Sequence, residues 1–258
     1  MNTTNSRYSL AFPNPKPILG MLHLSGGTAA QKLDIAKQEL ADLRGGGVDA
    51  VVVENYFGDK DDVRSVLEWL EGKYPDLTVG VNVLHDHRMA FELARQFRIN
   101  FIQMDSVAGH LDPVADLDFA EELQALRGQV DAALLGGVRF KYQPVNSGRT
   151  EEEDLLIGQG RCDAFVVTGT ATGEETDIAK VERFRSVVGN DFPLLIGAGM
   201  TVQNAAAQLA VADGAIVGSY FKDTHVDTGR VLAAHVHELM HEVETARSQA
   251  APREGALR

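Results

Sequence analysis

Two glycine-terminated stretches, PLLIGAGMTVQN (193–204) and ADGAIVGSYFK (212–222), give the clearest view of the architecture. In each, a short apolar run (194–196 and 215–217) stops at a glycine and passes into small or polar residues. A brief, continuously apolar run suits a strand of a parallel sheet covered on both faces. A glycine directly after it lets backbone amides approach a ligand. The same glycines also make plain turns, so the pair takes its meaning from the rest of the chain.

Toward the N-terminus the same rhythm recurs. Apolar runs predict strands at 18–22, 50–54, 78–84, 100–105, 132–141 and 164–168, before the quoted pair at 194–197 and 215–218. Between and after them, helical spacing of apolar residues predicts helices at 29–44, 61–71, 87–97, 117–127, 151–159, 178–188, 202–209 and 228–242. Strands alternating with helices in this way predict an α/β fold, a single (β/α)8 TIM barrel, with a doubly wound open sheet as the competing arrangement. No Pro-rich linker or long charge run divides the chain, so one domain is expected over residues 16–246, with tails at 1–15 and 247–258.

Composition narrows the function classes. The 258 residues are 44% hydrophobic and 24% charged, as for an ordinary globular protein, and the formal net charge is −13. That balance argues against a broad nucleic-acid surface, which would need clustered Lys and Arg, but it permits a local cationic pocket for a small anion. Cys162 is the one cysteine, which rules out an internal disulfide and a thiolate-rich metal site. No signal-like or membrane-spanning run is apparent, so a cytoplasmic protein without membrane insertion is expected, and a homo-oligomer on base rates.

In a barrel the chemistry lies at the C-terminal ends of the strands and in the loops that follow. The two opening stretches then become strands seven and eight, whose loops often hold phosphate. Gly197, Gly199 and Gly218 would offer backbone amides, and Thr201 and Ser219 hydroxyls. The TGTATG segment after strand six adds Thr168, Gly169 and Thr170 as ligand contacts. Glu54, ending AVVVEN, and Asp105 are candidate proton carriers, and His23 a candidate donor or acid. Lys141, after VRF, is either a charge clamp or an amine for Schiff-base chemistry. His85 and His87 form an HxH pair that a divalent metal could use, although no cofactor is required. His235, His237 and His241 read as a polar face near the carboxyl end of the last helix.

The chain resembles the BtpA and SgcQ family. The resemblance rests on GMLHL (20–24), GGVDAVVVEN (46–55), GVNVL (80–84), VVTGTATG (166–173), GAGMTVQN (197–204), DGAIVGSYFK (213–222) and VDTGRV (226–231) in that order. It implies a phosphate-binding barrel. It also implies two alternative roles. One is an isomerase or lyase acting on a phosphorylated sugar or related small metabolite. The other is a non-catalytic factor for assembly or stability of a protein complex, as in photosystem I biogenesis. At the barrel mouth the chain departs from the family pattern. His85, Asp86 and His87 stand where the family commonly has Arg-Asn-Asp, and Gln103, Met104 and Asp105 where it has Arg-Val-Asn. Tyr142 replaces a usual histidine.

Overall fold

Side chains alternate across a strand, so each strand of a closed barrel sends every second residue inward and the others toward the helices. The computed structural model, which describes residues 4–249, shows this alternation in eight strands. They are β1 (Ile18–Leu22), β2 (Ala50–Glu54), β3 (Thr78–Asn82), β4 (Phe101–Ala108), β5 (Ala133–Val138), β6 (Ala164–Val167), β7 (Leu194–Ile196) and β8 (Gly214–Val217). They pair in sequence order, all parallel, and β8 closes on β1. The fold is a single (β/α)8 barrel.

The inward set is Leu19, Met21, Ala50, Val52, Phe101, Ala133, Leu135, Ala164, Val166, Leu195 and Ile216, which form one apolar cluster. The outward set, including Ile18, Leu22, Val51, Val53, Val79 and Val81, packs into a second cluster with the helices. Packing inside the barrel is tight: a Cβ on Gly80 would stand 2.1 Å from the Phe101 ring. Each large apolar side chain removed from water in these layers contributes about 1.5–3 kcal/mol.

The helices are α1 (Thr4–Ala11), α2 (Ala29–Gly46), α3 (Lys60–Leu70), α4 (His87–Gln96), α5 (Pro113–Arg127), α6 (Glu151–Gln159), α7 (Ile178–Val188), α8 (Val202–Val211) and α9 (Ala233–Gln249). Helix α1 lies in a segment read from sequence as a tail. Its Tyr8 and the following Phe12 join the inner cluster, with Phe12 stacked 5.1 Å from Phe101, so the segment plugs the barrel floor. At the other end, α9 runs to Gln249, and Arg247 binds Asp49 and the Lys16 carbonyl. The rest of the expected C-terminal tail lies outside the described residues.

Two helix starts differ from the sequence reading. Helix α5 begins at Pro113 rather than 117, because the Asp112 carboxylate accepts from the amides of Val114 and Ala115 and proline suits the first helical position. Helix α9 begins at Ala233 rather than 228, since residues 222–232 form a strap. Lys222 and Val231 pair antiparallel, Asp223 exchanges hydrogen bonds with Arg230, and a Cβ on Gly229 would stand 2.3 Å from Thr224 Oγ1. The strap is anchored by a buried ion pair, Lys222 Nζ to Glu39 Oε1 at 2.6 Å, while the same oxygen accepts from the Val231 amide.

Candidate active site

The inward alternation that fills the barrel with apolar side chains ends in polar ones at its C-terminal mouth. After Leu19 and Met21 the next inward position is His23. After Ala50 and Val52 it is Glu54, after Gly80 it is Asn82, and after Phe101 come Gln103 and Asp105. Glu54 and Asn82 are register partners on neighbouring strands. His23, Glu54, Gln103 and Asp105 floor a cavity of about 660 Å³ at the mouth, with the buried Asn82 between the carboxylates, and it is walled by Lys141, Tyr142, Thr172, Gly173, Gly197–Thr201 and Gly218–Tyr220.

Asn82 ties the carboxylates together. Its Nδ2 donates to Glu54 Oε1 at 2.7 Å and lies 3.5 Å from Asp105 Oδ1. Burial, reinforced by the Asp105 charge, pushes the Glu54 carboxyl up to about 8, against the opposing pull of Lys141 and Asn82. Asp105 is raised as well, chiefly by burial. His23 Nε2 lies 3.8 Å from Glu54 Oε2, and burial together with Lys222 drives the imidazole down to about 3. At neutral pH the contact is therefore between a protonated carboxyl and a neutral imidazole. Glu54 is poised to give a proton, whereas His23 is too weak a base to take one near neutral pH and stays a neutral hydrogen-bonding group.

Lys141 enters from the loop after β5, three residues beyond the strand end at Val138 rather than on the strand itself. Its amide donates to Thr168 Oγ1 and its Nζ to Thr172 Oγ1 at 3.0 Å, and the Phe140 and Tyr142 rings lie about 6 Å away. Burial lowers its pKa, opposed by Glu54, Tyr142, Asp105 and Asp227. The loop is held in strained backbone. Among the described residues, the non-glycine positions with positive φ include Arg139 and Tyr142 here, and His85 and His225 elsewhere in the mouth.

The loops after β7 and β8 supply a further part of the wall. Gly199 has φ +71°, and a Cβ there would stand 2.2 Å from the Glu174 carbonyl, so the loop lies flush on the one after β6. Gly218 presses on His23, where a Cβ would stand 2.9 Å from Cε1. Gly197, Gly199, Thr201, Gly218 and Ser219 all line the cavity. Thr168, Gly169 and Thr170 do not: Thr168 is buried beneath Lys141, Gly169 packs against Glu175, and the Thr170 hydroxyl donates to Glu174. From the same segment, Thr172 and Gly173 reach the cavity instead.

The HxH pair does not converge. His85 lines the cavity, whereas His87 opens α4 and turns to Glu122 (3.7 Å) and Phe119. No group of three or more His, Cys, Asp or Glu among the described residues is arranged to hold a metal. His235 and His237 lie in the first two turns of α9 and His241 at its middle, none near its carboxyl end, and His235 stacks on His225, 4.4 Å between ring centres. Among the residues sequence reasoning missed are Asn82, Tyr56 and Asp227. Asn82 could have been found by continuing the inward alternation of β3. Tyr56 and Asp227 could not, since their hydrogen bond, Tyr56 OH to Asp227 Oδ2 at 2.9 Å, joins residues far apart in the chain.

A family model for the BtpA family matches residues 73–245. The chain belongs to the BtpA family. An uncharacterized protein of Thermococcus kodakarensis is 29% identical over 80% of this chain and 87% of its own. The photosystem I biogenesis protein BtpA of Synechocystis is 28% identical over 82% of each. Among solved structures, a phosphoribosyl anthranilate isomerase from Thermus thermophilus shares 12% identity, with a TM-score of 0.61 over 89% of this chain and 98% of its own. At that identity the likeness concerns the fold. No helix among the described residues is long and apolar enough to cross a membrane.

Proposed function

We propose that this BtpA-family barrel is an enzyme that binds a phosphorylated sugar or related small metabolite and moves a proton at a carbon next to a carbonyl, as an isomerase or lyase does. The observation that carries the reading is a single cavity lined by two kinds of group. Glu54, bridged by Asn82 to Asp105, is held protonated near neutrality beside the neutral His23. The glycine loops after β7 and β8 present small residues and hydroxyls to the same cavity at the start of α8 and at the turn Ser219–Phe221. Such loops and helix starts suit phosphate oxygens. Glu238 also lines the cavity, and its carboxylate accepts from the Tyr220 hydroxyl (3.0 Å). Lys141 lines the same cavity, where its amine can reach a bound carbonyl group.

Calorimetry against inorganic phosphate, sugar phosphates and their unphosphorylated counterparts tests the reading. The phosphorylated forms should bind and Ser219→Asp should abolish the heat by charge repulsion. Ser219 is the better site for this change, because any side chain at Gly218 collides with His23. Phosphorylated and unphosphorylated ligands binding equally would end the phosphate assignment. The name of the Synechocystis relative supports a second reading, an assembly factor. A protein partner retained in purification, with no metabolite bound or turned over, would favour that role.

A further inference from the structure

We propose that Lys141 is a nucleophilic amine that condenses with a ketone or aldehyde carbonyl of the ligand to form a Schiff base, with Glu54 as the proton donor. The inference rests on the reading of this cavity as an active site and names its substrate class as carbonyl compounds.

The argument begins with how the other buried amines are used. Lys222 is neutralised by Glu39 at 2.6 Å, Lys32 ends on Asp62 at 2.5 Å, and Lys180 ends on the Thr168 carbonyl at 2.8 Å. None of these three lines the cavity. Lys141 does, and its Nζ makes its hydrogen bond to a neutral hydroxyl, Thr172 Oγ1, with no carboxylate among the described residues at ion-pairing distance. Partial burial without a carboxylate at ion-pairing distance lowers the pKa of this amine, against the more distant pull of Glu54, Tyr142, Asp105 and Asp227, and so makes its neutral, nucleophilic form easier to reach.

Its position is also fixed. The Lys141 amide is held by Thr168, the Thr172 amide donates to the Tyr142 hydroxyl at 2.9 Å, and Tyr142 itself has φ +61°. The loops after β5 and β6 are thereby clamped together around the amine. An ammonium needed only as a charge clamp would gain from a nearby carboxylate. Here Glu54 and Asp105 lie in the same cavity, yet Glu54 is tied up by Asn82.

The chemistry closes on these groups. The amine lone pair forms a C–N bond to the carbonyl carbon, and the carbonyl oxygen takes the Glu54 proton. Glu54 then removes a proton from the nitrogen, giving a neutral carbinolamine. Glu54 returns that proton to the hydroxyl, which leaves as water while C=N forms. The products are a protonated imine on Lys141, a Glu54 carboxylate and one water. The carboxylate is then available to take the proton from the carbon next to the imine, which is the step the proposed function requires.

The test is reductive trapping. The full chain is incubated at pH 7 with cyanoborohydride and each of glycolaldehyde, dihydroxyacetone, pyruvate and glyceraldehyde 3-phosphate, followed by peptide mapping of every lysine. In parallel, an amine-selective acylating reagent measures lysine reactivity without any carbonyl. The expected result is a reduced adduct concentrated on Lys141 with at least one probe. Acylation of Lys141 should outpace the surface lysines by about tenfold for each unit by which its pKa lies below theirs. Lys141→Arg keeps the charge and should give a folded protein without the dominant adduct. Adducts spread over surface lysines, with Lys141 no faster than they are toward the reagent, would overturn the proposal. Because three probes carry no phosphate, that failure is distinct from a failure of phosphate binding. Trapping at Lys141 without any preference for phosphorylated ligands would support the amine chemistry and refute only the phosphate site.

Discussion

Lys222 and Lys141 are both lysines withdrawn from water at the same end of the barrel, yet their surroundings are opposite. Lys222 is fully buried, bonded to Glu39 at 2.6 Å, and its carbonyl accepts from His235 Nδ1 at 2.9 Å. Lys141 is open to a cavity, with a threonine hydroxyl as its partner. The first arrangement fixes a chain segment, since Glu39 also holds the Val231 amide and so both ends of the strap that carries Asp227. The second leaves an amine with unspent reactivity. Burial alone does not distinguish a structural lysine from a chemical one; the counter-charge does.

Replacing each lysine by methionine tests the contrast most strongly. Lys222→Met leaves Glu39 buried without its counter-ion, and should lower unfolding free energy in urea by about 3–5 kcal/mol. Lys141→Met removes an amine that has no paired carboxylate, and should change it by less than about 1 kcal/mol. Equal losses would mean that Lys141 is held by an ion pair after all, and the distinction between the two would collapse.

Glu54→Gln sharpens the same point from the acid's side. With its carboxyl pushed up to about 8 from an ordinary 4.5, the folded protein keeps a proton that the unfolded chain releases. Wild-type stability attributable to this group therefore falls as pH rises from about 4.5 to about 8, and levels off above that. Glutamine stays neutral throughout and still accepts from Asn82. The variant's advantage should be near zero at the acid end, grow through this window and reach about 5 kcal/mol above it, read as melting temperature against pH. If Glu54 and Lys141 formed an ion pair, the variant would instead be the less stable protein at neutral pH.

Much of this was legible in the sequence because it follows from one periodicity. The apolar runs that end at Glu54, Gly197 and Gly218 predicted the strands, and a closed barrel brings their ends together whatever the loops do. Glu54, Asp105, His23 and Lys141 consequently line one cavity, as expected. Loops carry no such period. Within TGTATG, nothing local tells the buried Thr168 from the cavity-facing Thr172, because the difference lies in contacts with Lys141 from another loop. The helical spacing of residues 228–242 concealed a strap, since its turn depends on Asp223 and its anchor on Glu39, nearly two hundred residues earlier.

Thr172→Val makes the smallest change and separates what holds the amine from what makes it reactive. The substitution keeps the shape and removes the acceptor at 3.0 Å, which should cost about 1 kcal/mol or less at this partly exposed position. A hydroxyl accepting from Lys141 favours the ammonium over the neutral amine, so its loss should push the amine's pKa lower still. Reaction with an acylating reagent at pH 7 should therefore hold steady or rise. Reductive trapping with a carbonyl probe should fall, because the amine is no longer aimed across the cavity toward Glu54. Lys222, bound to Glu39, should be unaffected in both assays. A parallel fall in acylation and trapping would show that Thr172 maintains the reactivity of Lys141 rather than its aim, and the contrast between the two lysines would then rest on that hydroxyl as much as on the missing carboxylate.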